Sequence, residues 1–270
     1  MFDAIARQKD IINNLKKNRK IMAKQNGLIK VKGSLDGLTF YETKDGHIVR
    51  KNNLERSSKV KTDARYERVR ENNAEFGAAV KSASYLRRAI MGFGKIAIPQ
   101  ATVRKLNKLM FALKDLDGTS VRGMRLAANG LLVPVGKIAL RDFVFDTKVG
   151  LDAMVLRPLS VNTSTGEISM SGFKPSEDLS VPVEATHVRL KSAWLKLDLT
   201  SGLYELQESA TTTLIVGAQA ANLSLVPVAV PSAVGADLHL LHVRFYQEVN
   251  GQQYALGGSR REWVGIVEVQ

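Results

Sequence analysis

Cysteine is absent from all 270 residues, which excludes disulfides, thiolate zinc sites and cysteine nucleophiles. Aromatic residues are scarce at 6%, so any surface that stacks nucleic-acid bases is confined to a few positions. Long apolar runs are also missing. The longest stretch without a charge, Ser209 to Ala236, is interrupted by Gly217, Gln219, Asn222, Pro227 and Pro231 and reads as short strands and turns, not a membrane span. Asp3, Arg7, Lys9 and Asp10 break up any signal-peptide core, and a cytoplasmic location is expected.

Catalytic signatures are equally thin. The 4 histidines are His47, His187, His239 and His242; the last two sit three apart on a predicted strand, where side chains alternate, so a shared metal is not expected. Met91 to Lys95 is glycine-rich but lacks P-loop spacing and the Ser or Thr after lysine, and no Gly-x-Ser-x-Gly elbow occurs. Asp142 with Asp146, or Glu177 with Asp178, are the carboxylate pairs that could flank a cleft. A non-enzymatic chain without cofactor, metal or small-molecule substrate is the expectation.

What is present is a foldable composition, 44% hydrophobic and 24% charged, with a net charge of +13 that is unevenly placed. Residues 1–130 hold 28 basic and 12 acidic side chains, a net of +16, whereas 131–270 hold 11 and 14, a net of −3. Within the first part the excess is local. Lys16, Lys17, Arg19, Lys20, Lys24, Lys30 and Lys32 have no acid among them. Arg50, Lys51, Arg56, Lys59 and Lys61 meet only Glu55, and Lys81, Arg87, Arg88, Lys95, Arg104, Lys105 and Lys108 again meet none. These are the candidate polyanion-binding residues. Between Asp63 and Glu75, by contrast, Arg65, Arg68 and Arg70 face Asp63, Glu67, Glu71 and Glu75, the pattern of a solvated, self-compensating helix face.

Periodicity predicts an α+β fold: a small basic β-meander plus three helices over 22–130, then an all-β sandwich over 131–270. Strand-like runs at Leu28–Val31, Leu38–Glu42 and His47–Arg50 are separated by Asp36-Gly37 and Asp45-Gly46, dipeptides suited to tight hairpins. Asn52 to Lys61 reads as an extended connector. One helix is expected from about Asp63 to Ile90, with Phe76, Val80, Ala83 and Ile90 inward and Gly92 and Gly94 ending it. A second follows Pro99 with Val103, Leu106, Met110, Leu113 and Leu116 inward, and stops at Gly118. A short third is capped by Thr119 or Ser120, with Val121, Met124 and Leu126 inward and Gly130 past its end. After Leu131 turn signals recur about every ten residues. Asn250-Gly251 predicts a type I′ hairpin and Thr200-Ser201-Gly202 another turn. The apolar parity switch along His187 to Leu199 predicts a bulge or bend near Ser192 to Leu195.

Residues 1–21 are amphipathic and basic, with Phe2, Ile5, Ile12 and Leu15 before Lys16 to Lys20. They read either as a basic helix that docks on a polyanion, membrane surface or partner, or as an unstructured tail or a mis-assigned start ahead of Met22. The run Lys32-Gly33-Ser34-Leu35-Asp36-Gly37-Leu38-Thr39-Phe40-Tyr41, then Asp45-Gly46 and Arg50, then Arg65, Arg68, Arg70, Glu71, Asn72, Asn73, Glu75, Phe76 and Gly77, resembles a family of uncharacterised conserved proteins from Bacteroidota. The resemblance spans about Met22 to Gly130 and implies that this stretch is a unit with Met22 as the usual start. It implies no activity.

Two functions fit. In one, the N-terminal half binds nucleic acid through its phosphates without sequence specificity, with Phe40, Tyr41 or Tyr66 available for stacking; no helix-turn-helix, zinc-finger or RNA-recognition signature is present. In the other, the chain is a subunit of a homo-oligomer or multi-protein assembly whose basic arm grips an acidic surface of a neighbour. The bland alternative is that the charge serves solubility.

Overall fold

A computed structural model describes residues 22–27, 29–44, 46–51, 54–94, 96–145, 149–257 and 262–270, with the side chains of Met22 and of residues 54–57 outside that set. The expected N-terminal helix at 1–21 lies outside the described residues. The fold is mixed α+β, its sheets antiparallel. By spatial proximity the chain forms two units, residues 1–70 and 71–270.

The first unit holds β1 (Met22–Lys24), β2 (Gly33–Leu35), β3 (Leu38–Thr43) and β4 (Gly46–Lys51), in the order β1-β4-β3-β2. Asp36 and Gly37, at φ 51° and 74°, close the β2–β3 hairpin as the sequence suggests. The expected strand at Leu28–Val31 is corrected: Ile29 to Val31 lie outside any strand, and Leu28 is not described. Gln25 explains it. Its side chain donates to Val31 O (3.2 Å) and accepts from Val31 N (3.0 Å), occupying the groups a strand would pair. The extended connector is corrected as well, because Leu54–Thr62 is a helix, α1; Asn52 and Asn53 are outside the described residues. A short 3-10 turn, Ala64–Tyr66, follows, capped by the Asp63 side chain, which accepts from Arg65 N at 2.9 Å. The Arg70 guanidinium donates to Val60 O and Asp63 O, fixing this corner.

Helix α2 (Glu67–Gly94) begins in the first unit and runs into the second, followed by α3 (Gln100–Asp115). Their inward stripes are Ala79, Ala83, Leu86, Ile90 and Phe93 on α2 and Leu106, Met110 and Leu113 on α3, all buried. The stripe on α2 is rotated from the expected one: Phe76 is 57% exposed and stacks on Phe111 at a centroid distance of 5.0 Å. No helix starts at Thr119 or Ser120; Val121 and Met124 are about 70% exposed, and the helical turn is α4, Ala127–Gly130. Gly130 has a separate reason to be glycine, since a Cβ there would lie 1.9 Å from Leu113 O, where α4 meets α3.

Helices continue past Leu131, correcting the all-β expectation: α5 (Pro134–Arg141), α6 (Leu151–Met154) and α7 (Pro175–Asp178). Pro134 and Pro175 open their helices at positions where no backbone N–H is needed. The strands are β5 (Ser160–Asn162), β6 (Glu167–Phe173), β7 (His187–Leu197), β8 (Tyr204–Glu208), β9 (Thr212–Ile215), β10 (Ala221–Leu225), β11 (Ala236–Val249), β12 (Gln252–Ala255) and β13 (Glu262–Val269). One sheet has the order β10-β6-β5. The larger has β12-β11-β7-β8, with β13 on β11 and β9 on β7. Asn250 and Gly251, at φ 52° and 77°, join β11 to β12 as a type I′ turn requires.

Against β11, β7 pairs without a bulge, eleven consecutive residues keeping register from Ala236↔Leu197 to Tyr246↔His187, whereas on its other edge the register shifts by one residue between Ala193↔Glu208 and Leu190↔Thr212, beside the expected position. The parity switch has another cause. Ala193, Leu195 and Leu197 of β7 and Leu238 and Leu240 of β11 form one core with the helices, whereas Val188, Leu190, Leu241, Val243 and Phe245 form a second with Ile168, Met170, Leu223 and Leu225 of the smaller sheet. Each cover lies over a different end and opposite face of the same ribbon, so the apolar residues change sides while the backbone runs on regularly. A bulge does exist between β11 and β13, where the partner of His239 is Glu268 and that of Leu240 is Ile266, leaving Val267 as the extra residue.

Candidate polyanion-binding surfaces

In the first unit the strand register sorts the side chains. Residues directly opposite share a face, so Lys24, Ile48 and Tyr41 form one row, and Arg50, Thr39 and Ser34 form the next row of the same face. The other face carries Ala23, Val49 and Phe40, then Lys51, Leu38 and Leu35, then His47 and Glu42. Phe40 and Tyr41 therefore point to opposite sides. Ser34 and Thr39 hydroxyls are hydrogen-bonded at 3.2 Å. No described residue of the first unit is buried.

The candidate cations fare differently from one another. Lys16, Lys17, Arg19, Lys20 and Lys95, and the Arg56 side chain, are outside the described residues. Lys24, Lys30, Lys32, Arg50, Lys51, Lys59 and Lys61 are all exposed. Lys32 pairs with Glu42 at 2.5 Å, and Lys30 donates to Gln25 O at 2.6 Å. In the second unit Lys81 and Arg88 occupy one outer stripe of α2, Arg88 lying over the Tyr85 ring, and Arg104, Lys105 and Lys108 occupy the outer face of α3; Arg87 is half-buried against Met91. Among the described residues, Lys24, Arg50, Lys51, Lys61, Lys81, Arg104, Lys105 and Lys108 have no carboxylate within 4.0 Å.

Two buried acids went unrecognised in the sequence. Glu75, expected on a solvated face, is 3% exposed and accepts from Arg125 Nε and Nη2 (both 2.8 Å), Lys114 Nζ (2.9 Å) and Gly123 N (2.7 Å). The Arg125 hydrogen bonds hold its carboxyl far below the usual range against the opposing effect of burial. Asp117 accepts from the backbone N–H groups of Thr119, Ser120 and Leu126, from the Thr119 hydroxyl and from Asn129 Nδ2, at 2.8–3.0 Å. Burial pushes this carboxyl up, but the Leu126 N–H and its other donors outweigh it and hold it well below the carboxylate range. Among them the Leu126 N–H is the donor that a helix running on from Thr119 would have returned to Arg122 O, so its capture by Asp117 is incompatible with that helix. Glu75 was legible in one respect: it falls in phase with the apolar stripe Ala79, Ala83, Leu86 and Ile90.

No family model, curated protein or solved structure matches this chain.

Among the described residues, the acids of the expected carboxylate pairs have basic partners. Asp178 accepts from Arg157 and Lys174 N, Glu177 pairs with Lys174, and Asp142 pairs with Arg141; Asp146 is outside the described residues. His239 and His242 do sit on opposite faces, the first against Trp194 and the second against Phe93 and Glu262. Among the described residues no three His, Asp or Glu side chains converge as a metal site, and no helix is long and apolar enough to cross a membrane.

Proposed function

We propose that this chain is a non-enzymatic binding protein whose basic N-terminal half docks on a polyanion, a nucleic acid contacted through its phosphates without sequence readout. The observation that supports it is the set of exposed cations without a carboxylate neighbour, from Lys24 and Arg50 in the first unit to Arg104, Lys105 and Lys108 in the second. Such cations keep their charge available to release counterions from a phosphate chain. The test is binding of the full chain to labelled DNA across a salt series: affinity should fall steeply with salt, and no binding at low ionic strength would overturn the reading.

Assembly is the second reading. Among the described residues the four-stranded sheet buries no side chain, with Leu35 68% and Leu38 36% exposed, which leaves an apolar surface that a partner could cover. A neighbouring subunit of acidic surface would supply the cover. Light scattering on the full chain and on a version lacking the first 61 residues tests this, a monomer in both counting against self-assembly. The two sheets of residues 160–269 pack across a shared apolar layer in a sandwich-like way and would give the basic part a rigid body.

A further inference from the structure

We propose that a cavity at the edges of the two sheets of residues 160–269 binds a small zwitterion, an amino acid with an apolar side chain, whose carboxylate meets Arg141 and Arg157 and whose ammonium meets Glu268 and Asp152. The cavity has a volume of about 540 Å³, within the range of small-molecule sites. It lies where the edge strands β5 and β13 run beside α5 and α6: Arg141 closes α5, Asp152 is on α6, and Arg157, Leu159, Val161 and Thr163 enter at alternate positions of the segment through β5. Val267 and Glu268 of β13 both line it. Consecutive residues of a regular strand point to opposite faces, but Val267 is the extra residue of the β11–β13 bulge, which turns both of them to one side.

The lining is mixed in sign and incompletely used. Arg141 gives Nε to Asp142 (3.0 Å) and Arg157 gives Nη1 to Asp178 (3.2 Å), which leaves both terminal nitrogens of Arg141 and the Nε and Nη2 of Arg157 without a hydrogen-bond partner among the described residues. Glu268, half-buried, and Asp152, exposed, have no hydrogen-bond or ion-pair partner in that set either. His239 stands opposite Glu268 on β11, and burial keeps its ring uncharged at neutral pH, so the glutamate charge is not offset from that side. Leu151, Leu159, Val161 and Val267 supply an apolar wall. A ligand charged with one sign would satisfy one pair of these groups and set the other pair against it. A zwitterion on an apolar body satisfies both.

The experiment is isothermal titration of the full chain with L-leucine, L-methionine and L-phenylalanine, and with the deaminated acid and the decarboxylated amine of whichever binds. At least one amino acid should bind, and each analogue missing one charge should bind more weakly by about tenfold or more. Glu268→Gln should weaken the amino acid by about 10- to 100-fold, the scale of one charge-assisted hydrogen bond, and leave the deaminated acid unchanged. Arg141→Gln should do the converse, weakening the amino acid and the acid but not the amine. Asp152→Asn, at an exposed position, repeats the Glu268 test where the fold is not at stake. No binding of any of the three amino acids at millimolar concentration, equal binding of the deaminated acid, or an amino-acid affinity unmoved by both Glu268→Gln and Asp152→Asn would overturn the proposal and leave the polyanion reading untouched.

Discussion

The two units differ in their balance of charge and in how much of it is buried. Residues 1–70 carry 18 basic and 8 acidic side chains, a net of +10, whereas 71–270 carry 21 and 18, a net of +3. In the larger unit many cations are consumed internally: Lys114 and Arg125 on Glu75, Arg157 on Asp178, Lys196 on Asp237 and Arg244 on Glu262. In the smaller one Lys24, Arg50, Lys51 and Lys61 have no such partner among the described residues, and no described side chain is buried. Charge that has been desolvated and paired works for stability, and charge left in water is available for a partner.

Mutations can break that contrast. The largest effect is expected from Glu75→Ala in the second unit, which leaves Lys114 and Arg125 only the exposed Asp115 as a carboxylate partner and should cost about 2–4 kcal/mol in denaturant unfolding. A loss under 1 kcal/mol would show that Glu75 is as dispensable as a surface acid. Acidification sharpens the contrast next. Glu75 and Asp117 have folded-state affinities for protons below their ordinary values of 4.5 and 3.8, so their contribution is complete above those values and is lost as pH falls through and below them. His239, fully buried with neither ring nitrogen hydrogen-bonded, is lowered from 6.5 chiefly by burial, against the opposing pull of Asp237 and Glu268. Its unfolded form protonates first, so stability should begin to fall as pH drops below 6.5. A melting temperature followed from pH 8 to 3 should decline in two stages, with His239→Leu removing the first; a single decline below pH 4.5 in both proteins would contradict the assignment. The smallest effect is expected from Leu38→Ala in the first unit. At 36% exposure its truncation should change unfolding stability by less than about 1 kcal/mol, and a cost of 2 or more would mean that its face is covered in solution.

Local rules read well where the chain obeys them locally. Helices α2 and α3 and the turns at Asp36-Gly37 and Asn250-Gly251 were legible because periodicity and positive φ leave direct marks on residue choice. What stayed hidden depended on distant or side-chain partners. Gln25 diverts Val31 from a strand, Asp117 captures the Leu126 N–H, and two covers on opposite faces of β7 switch the side on which its apolar residues lie. Of the candidate site, the exposed cations were readable from composition, but the assignment of Phe40 and Tyr41 to different faces needed register to become a surface.

The offset covers over β7 and β11 have a mechanical consequence. The helical core and the smaller-sheet core are separate clusters of side chains, yet both hang from one hydrogen-bonded ribbon. Melting either layer strips half of that ribbon of its backing and exposes the anchor points of the other. Residues 71–270 should consequently come apart in one sharp step, behaving as a single folding unit despite having two hearts.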